Sequence, residues 1–276
     1  MAKTATSEKV LILFTSEKGG AGKSTAATAV LDYLRGSGQL VAAYDSDGAV
    51  GMLSKAFGTK AEDGFAADVQ NPTEGVVVYN LREDESRSML VNSLAHGHPI
   101  VMHDLAGGGL ADLMRIQDNS EGLKRLLRAI KNAGYRVVFV HLLNTDDSAV
   151  ASIATYLDLI EEAGDVSEVA SHVVMLNRKA GRKNAAFLDW FGVTDEETGV
   201  REGGNTRERL LALGGVETEL PVLDEVATAK VKRLGVPLKD AASSPKLTLS
   251  EQQHVVNFRE DVADALVRAK AVLGIK

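Results

Sequence analysis

The chain has 276 residues, of which 45 % are hydrophobic and 25 % are charged, and its formal net charge at pH 7 is −7. Its length suits one large α/β domain or two small ones, and the absence of cysteine excludes disulfides, thiolate zinc sites and iron–sulfur clusters held by the chain. No apolar run approaches the roughly 20 residues of a membrane-spanning helix. The negative net charge argues against a protein that binds nucleic acid over its whole surface, but it is compatible with a local basic patch.

Apolar strands alternate with amphipathic segments, which predicts an α/β fold with a mostly parallel β-sheet and helices on both faces. We expect strands at 9–15, 39–45, 75–80, 99–105, 135–143, 169–177 and 216–220. We expect helices at 23–36, 49–57, 84–95, 120–133, 147–163, 205–213, 225–234 and 249–273. The segment 192–205 reads as a loop rich in Gly, Thr and acidic residues.

The last predicted helix, about 249–273, has its apolar residues on one face, among them Val255, Phe258 and Val262. Such a face predicts packing onto the sheet. The simplest organisation is therefore a single domain, 1–276, with this C-terminal helix docked on it.

A glycine-rich stretch follows the first predicted strand and precedes an alanine-rich helix. A strand, a glycine loop and a helix N-terminus in this order form the setting of a phosphate-binding loop. The glycines let backbone N–H groups converge on phosphate oxygens. Lys23 supplies a mobile positive charge for the β and γ phosphates, and Ser24 supplies a hydroxyl for Mg²⁺. The predicted nucleotide-binding residues of the loop are Lys18, Gly19, Gly20, Ala21, Gly22, Lys23, Ser24 and Thr25.

Two carboxylates, Asp45 and Asp47, follow the second predicted strand, at the sheet edge where ligands sit in open α/β folds. They lie on the same side if the strand stays extended that far. A carboxylate there can orient a water for attack on the γ-phosphate, or act on the metal through a water. The spacing alone is a weak signal, because aspartate is common in turns.

A third signal is Asp104, at the end of the apolar strand 99–105 and followed by three glycines at 107–109. An apolar strand that ends in aspartate is the Walker B pattern, in which the carboxylate holds Mg²⁺, usually through a bound water. The glycines allow the backbone to change conformation with the presence of a γ-phosphate.

The phosphate loop departs from the common pattern G-x-x-x-x-G-K-[ST], because Glu17 replaces the first glycine and Lys18 precedes a glycine pair. It thus resembles the deviant Walker A motif of the ParA/MinD family, x-K-G-G-x-G-K-[ST], and the resemblance extends from Lys9 to about Lys239. It implies a P-loop NTPase of the deviant Walker A class that uses ATP and Mg²⁺ and forms a homodimer in the ATP state. Lys18 would then reach into the partner's site and neutralise phosphate charge. Gly20 would allow a close approach there.

The same resemblance assigns roles to the carboxylates. Asp47 would position the hydrolytic water, with Asp45 as a supporting group, and Gly48 and Ala49 stand where family members often carry Pro and Gln. The implied catalytic residues are Lys18, Lys23 and Asp47. The implied metal group consists of Ser24, Asp47 and Asp104.

Adenine recognition is expected further along the chain. Asn177 and Arg178 end a predicted strand at the family's base-binding position, and the amide of Asn177 offers a donor and an acceptor for the adenine edge. The segment that contains Pro221 resembles the family's backbone border of the base. Asn177 could equally be a turn residue at a strand end.

The implied job is ATP hydrolysis that positions or segregates cargo, with DNA partition, stability or conjugative transfer as the first candidate. Two basic clusters could bind DNA without sequence preference, although solvated surface is the commoner role of such clusters. The clusters consist of Lys124, Arg125, Arg128 and Lys131, and of Arg178, Lys179, Arg182 and Lys183. An unidentified activating or adaptor protein would complete the cycle. We expect a cytoplasmic protein of bacterial type, associated with the nucleoid if it binds DNA, without a secretory signal or a separate DNA-reading domain.

Other readings remain open. The chain could be a MinD-like or scaffold ATPase that positions a membrane or polar machine without DNA, although acidic residues in the terminal helix disfavour membrane binding. It could also be a metabolic ATP-dependent ligase of the same superfamily. A zinc site at His96, His98 and His103 is disfavoured, since their spacing specifies no convergent geometry.

Overall fold

A computed structural model describes residues 8–17, 19–47, 51–62, 67–116 and 121–275. The strands are β1 (Lys9–Thr15), β2 (Val41–Asp45), β3 (Val77–Val78), β4 (Ile100–Asp104), β5 (Tyr135–Leu143), β6 (Ala170–Asn177), β7 (Val193–Thr194), β8 (Arg201–Glu202) and β9 (Val216–Leu220). The α-helices are α1 (Lys23–Gly36), α2 (Met52–Phe57), α3 (Met89–Asn92), α4 (Gly109–Arg115), α5 (Gly122–Asn132), α6 (Asp147–Glu162), α7 (Leu188–Phe191), α8 (Asn205–Ala212), α9 (Glu225–Leu234), α10 (Leu238–Ala241), α11 (Leu249–Leu266) and α12 (Lys270–Leu273).

Seven strands form the main sheet, in the order β3-β2-β4-β1-β5-β6-β9. Every pairing between these strands is parallel, so the predicted α/β fold is confirmed. β1 lies in the middle, with Phe14 opposite Asp104 of β4. Asp45 of β2 lies opposite the same aspartate on its other side. The carboxyl ends of β1, β2 and β4 therefore meet at one edge of the sheet.

Helices cover the sheet on both faces because the side chains of the central strands are apolar in both directions. In β1, Val10 and Ile12 belong to a core that includes residues of α1, α9, α10 and α11. Leu11 and Leu13, which alternate with them, belong to a second core with residues of α3, α4, α5 and α6. This two-sided burial is typical of parallel sheets and explains the continuous apolar runs in the sequence.

The helix predicted at 249–273 is divided by a 3₁₀ turn at 267–269 into α11 and α12, and α11 packs within the larger of these cores. Thr248 and Glu251 form a reciprocal capping box at the start of α11. Val255, Phe258 and Val262 are buried in the core with α1. No helix in the described part of the chain has the length and apolar character needed to cross a membrane.

Several elements differ from their predicted bounds. The helix predicted at 84–95 is shorter, since α3 spans four residues and is followed by a 3₁₀ turn at 93–96. The strand predicted at 75–80 pairs regularly only over Val77–Val78. The predicted loop 192–205 contains the antiparallel hairpin β7–β8, in which Asp195 accepts hydrogen bonds from the backbone of Glu197 and Thr198. The prediction omitted α4, which begins at Gly109 within a glycine run, and the short helices α7 and α10.

Candidate nucleotide-binding site

The glycine loop leads directly from β1 into α1, as the sequence predicts. Gly22 caps α1 with φ of 96°, and Gly20 has φ of 83°, a left-handed backbone that favours glycine. A Cβ atom at Gly22 would also come within 2.7 Å of Nδ2 of Asn177. Any side chain at position 22 would therefore strain the backbone and collide with the end of β6.

Lys23, the first residue of α1, forms a buried ion pair with Asp104 at the end of β4. Nζ of Lys23 donates to Oδ1 of Asp104 at 3.0 Å, and the two residues are 8 % and 0 % exposed. Burial raises the pKa of Asp104, while the charge of Lys23 and hydrogen bonds from Ser24 and Lys23 lower it in part. The other carboxylate oxygen, Oδ2, is buried and accepts no hydrogen bond from the described residues. Lys23 of the predicted phosphate loop thus contacts Asp104 of the predicted Walker B strand.

Asp45 and Asp47 lie in different environments although they are two residues apart. Asp45 is fully buried and accepts hydrogen bonds from the backbone N–H of Asp47 and of Ser54, in the first turn of α2. Burial and the neighbouring Asp104 raise its pKa to about 6. Asp47 is exposed and forms an isolated β-bridge with Asn80. Of these two aspartates, Asp47 is therefore the one that is exposed to solvent.

The segment after Asp104 is tied to the rest of the site by contacts that the sequence analysis did not find. The Ser46 hydroxyl accepts a hydrogen bond from the backbone N–H of Ala106 at 3.1 Å. Arg82 donates to the carbonyl of Gly107 at 2.7 Å and pairs with Asp112 of α4 at 3.4 Å. These residues are 25 to 60 positions from their partners, so no local pattern could reveal them.

Glu17, which replaces the usual glycine of the phosphate loop, joins this network. Its carboxylate accepts hydrogen bonds from the backbone of Leu110 in α4 and from Ser152 in α6. Burial and the nearby Asp112 raise the pKa of Glu17. The backbone N–H of Gly108 donates to the carbonyl of Ser16 at 3.0 Å. The start of the loop is thus fastened to the segment that follows Asp104.

The residues predicted to hold adenine lie beside the loop. Asn177 is 8 % exposed, donates from Nδ2 to the carbonyl of Ala21 at 2.9 Å, and accepts at Oδ1 from the backbone of Lys179. Arg178 pairs with Glu219 at 2.6 Å. Pro221 directly follows β9, next to β6. Asn177 therefore supports the phosphate loop in this structure, and its contact with a base stays a prediction.

The three histidines considered for a zinc site have different surroundings: the rings of His96 and His98 lie 6.0 Å apart, and His103 is bonded to other side chains. Within β4, the His103 ring is fully buried, with Nδ1 bonded to Tyr79 at 2.9 Å and Nε2 to Ser93 at 3.1 Å. Burial lowers its pKa to about 3. No group of three or more His, Asp or Glu side chains in the described residues could hold a metal ion by itself.

The two predicted basic clusters differ in how far acidic side chains neutralise them. On α5, Arg128 pairs with Asp165 at 3.8 Å and Lys131 with Glu168 at 2.8 Å. After β6, Lys179 pairs with Glu225 at 3.4 Å. Arg182 and Lys183 are exposed, and neither pairs with a carboxylate in the described part of the chain. The second cluster thus keeps more free positive charge.

Lys18, Gly48 and Ala49 lie outside the described residues. Of the other predicted loop residues, Gly19 and Gly20 are exposed, Ala21 is buried, and Ser24 and Thr25 are partly buried in the first turn of α1.

A comparison with known protein families identifies the family to which the chain belongs. The family described as "CobQ/CobB/MinD/ParA nucleotide binding domain" matches residues 12–226, which is most of the chain. The chain belongs to this family. The match includes the phosphate loop, Asp47, Asp104, Asn177 and Pro221. A search of curated proteins found no match.

Several solved structures are similar to this member of the ParA/MinD family at low identity. A McdA–ATP complex from Cyanothece has a TM-score of 0.50 at 11 % identity and covers 99 % of this chain and 98 % of its own. MinD from Aquifex aeolicus has a TM-score of 0.47 at 14 % identity, with coverages of 93 % and 97 %. A putative plasmid partition protein from Borrelia burgdorferi, bound to AMPPNP, has a TM-score of 0.47 at 12 % identity, with coverages of 95 % and 99 %. At 11 % identity and a TM-score of 0.50, the likeness to McdA concerns the fold alone.

Proposed function

We propose that this ParA/MinD-family protein is an ATPase whose ATP-bound form is a homodimer and whose hydrolysis cycle positions cargo, with DNA as the first candidate. The observation that carries the proposal is the buried contact between Lys23 and Asp104 at the N-terminus of α1. A buried ion pair contributes little net stability, because desolvation offsets its Coulomb energy. Its position beside a glycine loop suits a charge that moves to a phosphate when nucleotide binds.

The donor set fits Mg²⁺. Asp104 has a buried oxygen without a hydrogen-bond partner in the described residues, and Ser24 offers a hydroxyl next to it. Such oxygen donors, completed by waters and phosphates, are those that Mg²⁺ prefers. The ion, when bound, would neutralise charge on the β and γ phosphates.

The remaining roles fall to residues at the same edge. Asp47, whose carboxylate is exposed, orients the attacking water. Lys18 reaches the nucleotide of the second subunit, an assignment that rests on the motif alone because Lys18 is outside the described residues. Asn177, Arg178 and Pro221 border the base. Two chains would thus form the complete site.

DNA is the proposed surface on which the dimer acts. Arg182 and Lys183 are exposed and unpaired in the described part of the chain, close in sequence to the end of β6. Dimerisation would double such a basic patch, and nonspecific DNA affinity rises steeply with the number of phosphate contacts. The proposed setting is the bacterial cytoplasm, on the nucleoid.

Size-exclusion chromatography of Asp47→Ala protein with ATP or ADP, with and without a DNA duplex, tests the proposal. We expect a dimer only with ATP, because the variant binds nucleotide but hydrolyses it slowly, and we expect the dimer to retain DNA. A monomer in ATP would refute the dimer. An ATP-dependent dimer without DNA affinity would instead support a scaffold ATPase.

Lys18→Ala serves as the companion variant. It should leave nucleotide binding to the monomer largely intact while hydrolysis falls. Loss of binding in the monomer would show that Lys18 contacts its own nucleotide. Hydrolysis that depends on a small acid or amine would favour a ligase.

A further inference from the structure

An apolar cleft opens between α1, α2, α9 and α11, on the face of the sheet that carries α1. Its walls include Met52 and Ala56 of α2, Val231 of α9 and Phe258 of α11. Its water-accessible space is about 50 Å³. Sites for whole small molecules hold about 300–1,000 Å³. The cleft therefore has room for one short apolar side chain and not for a metabolite.

Thr28 of α1 lines the same cleft. The residue is 8 % exposed, and its hydroxyl oxygen has no hydrogen-bond partner in the described residues. A buried polar atom without a partner is uncommon in folded proteins, so this hydroxyl is free to bond a group that enters the cleft. The cleft thus combines an apolar wall with one unused polar atom.

The rim of the cleft is basic although the protein is acidic. α2 and α9 together carry four basic side chains and a single acidic one, in a chain whose net charge is −7. Lys230 is neutralised by Glu251 at 2.6 Å. Lys55, Lys232 and Arg233 are exposed and have no ion-pair partner among the described residues. Lys55 and Lys232 both line the cleft.

The cleft is connected to the candidate nucleotide site through α1 and α2. α1 begins at Lys23, and α2 is preceded by its N-cap residue Gly51, where a Cβ atom would collide with the carboxylate of Asp45. Asp45 in turn holds the backbone of Ser54 and of Asp47. A side chain inserted between α1 and α2 would displace α2 and, through Asp45, change the position of Asp47.

We propose that this cleft docks an acidic segment of a partner protein, which inserts one apolar side chain between α1, α2, α9 and α11. The carboxylates of the segment pair with Lys55, Lys232 and Arg233. An apolar anchor in a small pocket, surrounded by complementary charge, is a common arrangement of interface hot spots. Docking also alters the rate of hydrolysis through α2, and this second part alone rests on the proposed ATPase function.

The test uses the full chain without nucleotide and a short fluorescein-labelled peptide with one central Leu among Glu residues. Fluorescence anisotropy should show saturable binding that weakens with salt. The double variant Lys55→Glu, Lys232→Glu should weaken binding at least about tenfold, or about 1.4 kcal/mol. Lys246→Glu, an exposed lysine outside the cleft lining, is the matched control and should change it less than about twofold. Both lysines of the double variant are exposed, so folding should survive the exchange.

Two further ligands test whether binding requires the apolar side chain or only negative charge. The same peptide with Ala in place of Leu should bind at least about tenfold more weakly, because the anchor is lost. Equal binding of both peptides, or no saturable binding, would overturn the docking site. A DNA duplex that binds through Lys55 and Lys232 while the peptide does not would replace it by a nucleic-acid surface.

Steady-state ATP hydrolysis with and without the Leu peptide tests the coupling. We expect at least about a twofold change, absent in the Lys55→Glu, Lys232→Glu variant. Binding without any change in rate would refute the coupling and leave the docking site. No hydrolysis of ATP either with or without the peptide would count against the ATPase proposal, while the binding data would stand.

Discussion

At the scale of single residues, the site is dominated by charges placed where water cannot solvate them. Lys23 and Asp104 face each other in a nearly dry environment, and Asp45 lies opposite Asp104 on the neighbouring strand. Burial of two neighbouring carboxylates with one lysine is unfavourable in the absence of a ligand. The arrangement is understandable if phosphates and a cation complete it.

The first prediction concerns the ion pair. Lys23→Met should lower the free energy of unfolding by about 3 kcal/mol, because it leaves Asp104 buried without its cation. The double variant Lys23→Met, Asp104→Asn removes both charges and should recover most of that loss. Urea denaturation without nucleotide measures both. If Lys23→Met is as stable as the wild type, water reaches the Lys23–Asp104 ion pair in the folded protein. Neither variant should bind ATP.

The second prediction concerns pH. The pKa of Asp45 in the folded protein is about 6, above its ordinary value of 3.8. Between these values the folded state holds a proton that the unfolded chain has lost, so stability falls as pH rises from about 4 to about 6. The contribution is on the order of 2–3 kcal/mol.

Asp45→Asn, which does not titrate, isolates that contribution. The free energy of unfolding of the wild type minus that of the variant should decrease by this amount between about pH 4 and pH 7, as measured by urea denaturation. A constant difference over this range would mean that Asp45 titrates normally in the folded protein.

At the scale of elements, helix ends and strand ends are tied to each other across the sheet edge. Gly22, the N-cap of α1, lies against Asn177 of β6, and Gly108, the N-cap of α4, donates to the carbonyl of Ser16. Ser46 and Arg82 hold the segment between β4 and α4. These contacts join the glycine loop and both carboxylate segments into one network that extends to α2 and α4.

The third prediction concerns the terminal helix. Phe258 of α11 is 2 % exposed in the core with α1, so Phe258→Ala should cost about 3–5 kcal/mol of unfolding free energy. Val267→Ala is the control, since Val267 is 58 % exposed and should change stability by at most about 0.5 kcal/mol. Chemical denaturation measures both. A cost below about 1 kcal/mol for Phe258→Ala would argue that the helix detaches easily, as a membrane anchor would.

At the scale of the whole molecule, an acidic chain carries basic side chains on distinct surfaces. The cluster on α5 is largely paired, whereas Arg182 and Lys183, like the rim of the apolar cleft, keep free positive charge in the described residues. Local charge of this kind, rather than net charge, decides which partners approach a surface.

The fourth prediction follows for DNA. Arg182→Ala with Lys183→Ala should weaken binding of the ATP-bound dimer to a duplex, and should reduce the slope of log affinity against log salt by about 1.8 per subunit that contacts DNA. Lys131→Ala, whose lysine pairs with Glu168, is the control and should leave the slope unchanged. Fluorescence anisotropy across a salt series measures it. An unchanged slope in the double variant would place DNA contacts elsewhere.

The sequence by itself determined the parallel sheet, because buried strands and amphipathic helices have different periods. It also predicted a phosphate-binding loop, because glycines, Lys23 and Ser24 are adjacent in the chain. Only the tertiary structure decided that Lys23 meets Asp104, that Asp45 is buried while Asp47 is exposed, and that Arg82, Ser46 and Glu17 join the site. It alone revealed the cleft between α1, α2, α9 and α11. Those contacts join residues far apart in sequence, and their burial depends on how helices pack over the sheet, which local patterns do not encode.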